Sequence, residues 1–333
     1  MATSARDLSP AVLERSRPTL RDYAAVTRPA SAIKHLFVVP GIALALILRP
    51  GAEGFSIDRL ILAFASVFCS ASANYVINEW LDREFDRHHP DKSRRPCVAK
   101  EMSGAAIYAE FAILGLAGLL LGTAASALTG LCAAALLLNG ILYNVPPFRA
   151  KNVAIFDVLC ESFNNAVRLV FGWSIVDPHT LPPGSVLFAY WMGGAFLMAV
   201  KRLAEYREFA AAGRIPDLVR YRASFGSYSD RSLTVSAFAY AQLTTFGLAV
   251  FIVKYRIEYL LATPLICLMF CLYLWAGLRA SRGAQRPDDL FKERWVIAVV
   301  AAVVIALGVL TFVDVPAIAP LVNAHYIALP SRL

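Results

Sequence analysis

Asn74, Asn78, Asp82 and Asp86 recur at intervals of four residues. In a helix that spacing lays all four side chains along one face, a line of oxygens drifting slowly around the axis. Acids stacked in this way repel one another, and near a bilayer each carboxylate is costly unless it meets a cation or water. A hard divalent ion resolves the conflict. Mg2+ takes oxygen ligands, keeps several waters, and is typically held by one or two carboxylates together with phosphate oxygens of a substrate. The bland alternative is a solvated helix end whose acids pair with Arg83 and Arg87.

A second stripe, Asp157, Glu161, Asn164, Asn165 and Arg168, also repeats at three- and four-residue steps and runs deep into an apolar segment. An arginine at membrane depth faces a cavity or a partner, and its ordinary structural role here would be an ion pair with Glu161 or Asp157. The stretch KRLAEYREF places Lys201 four residues before Glu205, on one helix face. Basic residues crowd the neighbouring connections: Lys92, Arg94, Arg95, Arg149, Lys151, Arg214, Arg220 and Arg222. Some serve as topology signals and headgroup contacts. Acids suited to Mg2+ and many cations on one membrane face together describe a diphosphate site, in which metal and cations share the phosphate oxygens.

The elements that must position these groups are membrane helices. The chain has 333 residues, is 58% hydrophobic and carries a formal charge of +8, with a mean hydropathy of +0.57. Apolar windows long enough to cross about 30 Å of hydrocarbon predict an all-α integral membrane protein of nine transmembrane helices in a single domain, 1–333. They run from Ala32 to Leu48, Leu60 to Asn78, Ala105 to Gly122, Ala125 to Leu142, Ile155 to Val176, Val186 to Leu203, Leu233 to Val253, Tyr259 to Leu278 and Trp295 to Val313. The third and fourth nearly fuse, which requires a very tight turn near Ala124. Gly118 and Gly122 form a GxxxG that lets two backbones approach closely. Six scattered cysteines form no disulfide framework and no metal-ligand spacing.

Lys and Arg concentrate on the side holding the N-terminus and the even-numbered connections, leaving Arg49, Arg59, Lys254, Arg256 and Arg332 on the other. The positive-inside rule then predicts a cytoplasmic N-terminus and an arm over residues 1–31. Arginine far exceeds lysine and alanine is abundant, pointing to a GC-rich bacterial genome, and together with the basic connections this predicts a bacterial inner-membrane protein with its site toward the cytoplasm. Membrane lipid is an expected partner and nucleic acid is not.

NEWLDREFD, Asn78 to Asp86, resembles the first Asp-rich motif of the UbiA superfamily of intramembrane transferases, with Glu79 in place of the usual Asp. The resemblance extends over essentially the whole chain. Most members of that superfamily transfer a prenyl group and carry a second Asp-rich motif after the sixth span, which this sequence lacks. In its place KRLAEYREF resembles the Lys-Arg-Tyr-Ala-Glu motif of the decaprenyl-phosphate phosphoribosyltransferase branch, with Leu203 departing. RPASAIKH, with His35 departing, DRHHPDKSRRP and FNNAVRLVFG are also similar to stretches of that branch.

The resemblance implies a Mg2+-dependent transferase moving 5-phosphoribose from phosphoribosyl diphosphate to a long polyprenyl phosphate. It implies metal binding by Asn78, Asp82 and Asp86, and catalytic roles for Asp82, Asp86, Lys201 and Arg168. Lys34, Asn74, Lys92, Arg95, Arg149, Lys151, Glu161, Asn165, Glu205 and Tyr228 are the expected substrate-binding side chains. The rival enzyme reading is transfer of an isoprenoid from a prenyl diphosphate to an aromatic or other lipid-soluble acceptor. Its second acidic cluster would have to come from Glu205, Glu208, Asp217 or Asp230, which lack a clean spacing. A transporter or lipid-binding scaffold would bring broken helices and internal repeats, and no repeat is present.

Overall fold

The structure, a computed structural model, describes residues 16–51, 55–87, 92–279 and 294–321. The first half of the expected arm, the His88 to Asp91 part of DRHHPDKSRRP, and Arg332 lie outside the described residues. Backbone polar groups in hydrocarbon must be paired within their own segment, so the apolar runs become helices. In chain order these are α1 (Leu20–Val26), α2 (Val39–Leu48), α3 (Ile57–Asp86), α4 (Pro96–Ala99), α5 (Gly104–Ala125), α6 (Ala127–Asn144), α7 (Phe156–Val176), α8 (Gly184–Ala211), α9 (Ile215–Tyr221), α10 (Asp230–Tyr255), α11 (Thr263–Arg279) and α12 (Arg294–Phe312).

Among the described residues, eight helical segments are long and apolar enough to cross a membrane. The segment that separates this count from the expected nine is α7. It is 21 residues long but carries Asp157, Glu161 and Arg168, and it lies inside the bundle against α2, α3, α6 and α8. One end of α7 joins the apolar core of α8, α10 and α11 through Val158. The other joins the core of α3 and α6 through Val167, Val170 and Phe171. The helix that holds the second polar stripe is therefore the one packed on most sides.

Local chemistry explains the departures from the expected spans. The first is split, with a 3-10 stretch over Pro29–Val38 ahead of α2. Pro40 has no N–H to continue an α-helical ladder from below, and the Val39 N–H closes a tighter turn on the Leu36 carbonyl. The turn expected near Ala124 is made by Ser126, the single residue between α5 and α6, whose hydroxyl accepts the Thr129 N–H at 3.0 Å and caps α6. The GxxxG face of α5 meets α3, where Ser66 donates to the Gly118 carbonyl at 2.7 Å.

At Gly172, α7 makes a backbone contact with the end of the 3-10 stretch and the first turn of α2. A Cβ on Gly172 would stand 1.9 Å from the Val38 carbonyl oxygen. Only a residue without a side chain permits that approach. Gly172→Val is expected to lower the thermal unfolding midpoint of the detergent-purified protein, with an overpacking cost of about 1–3 kcal/mol or more. Gly308→Val, where nothing lies within 4 Å, should leave the midpoint in place; equal midpoints for the two variants would contradict the contact.

Candidate active site

The last turns of α3 deliver Asp82 to a pocket also lined by Arg149, Lys151, Asn152, Tyr221 and Arg222. Asp82 Oδ1 accepts from Arg149 Nη2 at 2.7 Å and from Lys151 Nζ at 2.5 Å. Both cations come from the short connection after α6. Arg149 takes a left-handed backbone there, φ 33°, a conformation that costs a non-glycine residue about 1–3 kcal/mol and tends to persist at functional sites. Its guanidinium lies over the Phe85 ring at 4.7 Å. Lys151 Nζ also reaches Asn144 Oδ1 at 2.8 Å, and the same oxygen accepts from Asn78 Nδ2.

One turn later, Asp86 Oδ2 accepts from Arg95 Nη1 at 2.6 Å, while its Oδ1 is buried without a partner. Arg83 and Arg87 pair with Glu84, at 3.8 and 2.7 Å. Asn78 Nδ2 donates to Asp82 Oδ2 at 3.3 Å within the stripe, but the cations that meet Asp82 and Asp86 come from other segments, not from their own helix end. Glu79 of the Asp-rich motif and Asn74 at the start of the line have other partners. Glu79 pairs with Arg28 at 3.0 Å and accepts from the Cys97 N–H, and Asn74 donates to the Leu136 carbonyl at 2.8 Å with its other end against Gly140. Asn74, expected to bind substrate, joins α3 to α6 through this bond.

Facing Asp82, the acids of α7 are already neutralised. Arg202 donates to Asp157 at 3.2 Å, to Glu161 at 2.8 Å and to Glu205 at 3.4 Å, filling its planar fork with three carboxylates. Arg222 stands 3.7 Å from Asp157 and donates to the Tyr143 hydroxyl at 3.1 Å, which in turn donates to Glu161 at 3.0 Å. Tyr228 donates to Asp157 at 2.6 Å and accepts the Ile155 N–H at 2.6 Å, so it fixes the start of α7. Arg202 was missed from the sequence. Its signal was present in the i, i+3 relation to Glu205, beside the more conspicuous Lys201. Lys201 lies near enough to Glu161 to act on its charge. Tyr143 and Asn144 carried no signal.

The remaining candidates lie deeper. Lys34 sits over the Tyr75 ring at 6.0 Å, Asn165 packs against Gly194, and Arg168 is buried. No ion pair of Arg168 with Asp157 or Glu161 forms; those acids go to Arg202 and Arg222.

Burial costs the loop cations part of their charge. It pushes Lys92 down to about 7, with Glu205 acting in the opposite sense and Arg222 in the same one. It pushes Lys151 down to about 8 against the pull of Asp82. Burial also opposes the charge on Arg222, but Tyr143, Glu161 and Asp157 overcome it and hold that group well above the usual arginine value. Lys92 meets the Tyr221 hydroxyl and lies over its ring at 4.1 Å, so the α9 segment closes over the α3 end.

Among the described residues no three His, Cys, Asp or Glu side chains cluster as a self-sufficient metal site. The oxygens of Asn78, Asp82 and Asp86 nonetheless fit a Mg2+ that shares its shell with water and phosphate, because Asp86 keeps a buried oxygen with no donor.

A protein-family model described as the UbiA prenyltransferase family matches residues 37–297. Protoheme IX farnesyltransferase of Alkalihalophilus pseudofirmus is 25% identical over 203 residues, 59% of this chain and 64% of that protein. Decaprenyl-phosphate phosphoribosyltransferase of Mycolicibacterium smegmatis is 28% identical over 214 residues, 62% of each chain. The chain therefore spans somewhat less than two thirds of each of these relatives. A UbiA homologue from Archaeoglobus fulgidus, solved bound to DMAPP and Mg2+, superimposes with a TM-score of 0.65 at 18% identity, covering 88% of this chain and 100% of that one. The bundle is the same fold.

The Lys92 environment has a measurable signature. Against an ordinary value of 10.5, the unfolded chain holds a proton that the native chain has released between about pH 7 and 10.5. The penalty for burying this side chain is therefore full below pH 7 and fades as pH rises through that window. Lys92→Met is expected to raise the thermal midpoint most below pH 7, with the gain shrinking toward pH 10. A gain independent of pH would contradict this burial.

Proposed function

The chain belongs to the UbiA prenyltransferase family, and from that premise we propose that it is a Mg2+-dependent intramembrane transferase that moves 5-phosphoribose from phosphoribosyl diphosphate to a polyprenyl phosphate at the cytoplasmic face. The observation that carries this reading is the state of the second acidic cluster. Asp157, Glu161 and Glu205 are paired with Arg202, and Asp157 also lies beside Arg222, so that side of the site presents guanidinium to a donor and its carboxylates are already neutralised before any second metal arrives. The relative named decaprenyl-phosphate phosphoribosyltransferase supports the same reading.

In this mechanism an oxygen of the acceptor phosphate attacks the anomeric carbon of the ribose. The new C–O bond forms as the bond to diphosphate breaks, and the diphosphate departs with the electron pair. The attacking phosphate is already anionic, so no dedicated general base is required. Mg2+ held by Asn78, Asp82 and Asp86 would supply charge neutralisation to the departing diphosphate. Arg149 and Lys151, which rest on Asp82 at 2.7 and 2.5 Å, turn to the donor phosphates, joined by Lys92, Arg95 and Arg222. Positioning and leaving-group stabilisation carry the rate.

A second reading, prenyl transfer to a lipid-soluble acceptor, is favoured by the relative named protoheme IX farnesyltransferase and by the fold neighbour bound to DMAPP. Purified protein with Mg2+ and polyprenyl phosphate, offered phosphoribosyl diphosphate or a prenyl diphosphate, separates the two. Phosphoribosyl transfer is the expected result; turnover of the prenyl donor alone would overturn the proposal.

Two variants test the roles. Asp82→Asn is expected to reduce turnover on the order of a hundredfold or more while leaving a folded membrane protein, and undiminished activity, in the variant or in wild type with excess chelator, would contradict the metal assignment. Arg222→Gln is expected to weaken donor binding roughly tenfold or more, the scale of a lost charge-assisted hydrogen bond. An Arg222→Gln enzyme with unchanged donor affinity would show that the guanidinium serves only Asp157 and Tyr143.

A further inference from the structure

Every acid on the polar face of α7 has a cation, yet the one cation on that face has no acid. Arg168 is 7% exposed, no ion pair to it forms among the described residues, and its Nε is buried without a hydrogen-bond partner. A guanidinium is not deprotonated in proteins. A buried charge without a partner costs several kcal/mol, and at membrane depth such residues mark functional sites.

His35, equally buried at 7% exposure, presents a second unpartnered atom, Nδ1, within the electrostatic reach of Arg168. Tyr75 and Tyr190 also lie within that reach. Tyr190 donates to the Phe37 carbonyl at 3.1 Å, and Lys34 stands over Tyr75. Four segments, the 3-10 stretch, α3, α7 and α8, thus bring donors and aromatic rings around Arg168, and among the described residues no carboxylate pairs with it.

We propose that Arg168 and His35 form a second anion site, separate from the diphosphate pocket, that receives the phosphate headgroup of the lipid acceptor. The inference rests on the transferase reading above and specifies its acceptor side. Depth selects the lipid over the water-soluble donor. Tyr75 lies seven residues before Asp82 on α3, so this level is about 10 Å further into the bundle at a helical rise of roughly 1.5 Å per residue. That interval fits an in-line displacement. A diphosphate at Asp82, the carbon it leaves, an attacking oxygen about 3–3.5 Å away and the remaining phosphate oxygens together reach the Arg168 level. The acceptor then enters from the bilayer side and the leaving group exits toward the cytoplasmic cations, with no crossing of paths.

The test is direct binding, without donor or metal, to the full-length protein in phosphatidylcholine nanodiscs, using a polyprenyl phosphate and the matching polyprenol. Wild type is expected to bind the phosphate at least roughly tenfold more tightly than the alcohol, the scale of a charge-assisted contact. Arg168→Gln should lose that preference while its affinity for phosphoribosyl diphosphate stays unchanged. Arg168→Lys, which keeps the charge, should retain part of the preference and serves if the glutamine variant does not fold. His35→Phe should reduce the preference without abolishing it.

Equal wild-type affinity for phosphate and alcohol, a glutamine variant that keeps the preference, or a loss confined to donor affinity would each overturn the site. Failure of the donor assignment is distinguishable. Wild type that prefers the lipid phosphate but does not turn over phosphoribosyl diphosphate retains this site and loses that donor. Phosphoribosyl transfer by a glutamine variant of normal acceptor affinity removes this site alone.

Discussion

Neutralising carboxylates at the mouth of a membrane bundle is the constraint on which the rest of the structure depends. An unpaired acid there costs several kcal/mol, and removing one partner of a buried pair strands the other. Arg202 is the centre of the solution, buried on α8 and shared by Asp157 and Glu161 of α7 and Glu205 one turn along its own helix. Asp82 is met by Arg149 and Lys151, and Asp86 by Arg95. Apart from the Arg202–Glu205 pair within α8, each pair joins separate segments, so forming the pairs also closes the site.

The two walls are neutralised differently, and that difference shapes the function. On the α3 wall the partners are long side chains from short connections, and burial weakens the hold of two of the nearby lysines on their protons. They gain by turning to an incoming anion. Asp86 also retains a buried oxygen without a donor, which suits the metal ion of the proposed mechanism. On the α7 wall the acids are tied to arginine, tyrosine and serine, and the arginines are what remains for a donor to meet.

Much of this was legible in the sequence, and the rest was hidden for physical reasons. The four-residue spacing put Asn78, Asp82 and Asp86 on one face, because helical periodicity acts within a single segment. Apolar windows located the helices for the same reason, and the extra polarity of α7 marks the helix that faces protein instead of lipid. Pairing between segments was not readable. Nothing local shows that Asp82 is met from a loop 67 residues away, that Glu79 turns to Arg28, or that the Tyr228 hydroxyl fixes the start of α7. Lys201 drew attention over Arg202 because spacing identifies a face but not which neighbouring cation reaches across it. The split of the first span was available in Pro40, whose missing N–H interrupts the ladder.

The most direct measurement of the central asymmetry is metal stoichiometry. Mn2+ titrated into the protein with saturating pyrophosphate, followed by electron paramagnetic resonance, reports both the number of protein-held ions and any coupling between them. A single ion per chain, lost in Asp82→Asn, is the expected result, because the acids of the α7 wall are already held by Arg202 and Asp86 on the α3 wall keeps an oxygen without a donor. A coupled pair of ions, with one lost in Glu161→Gln or Glu205→Gln, would contradict an arginine-neutralised second wall.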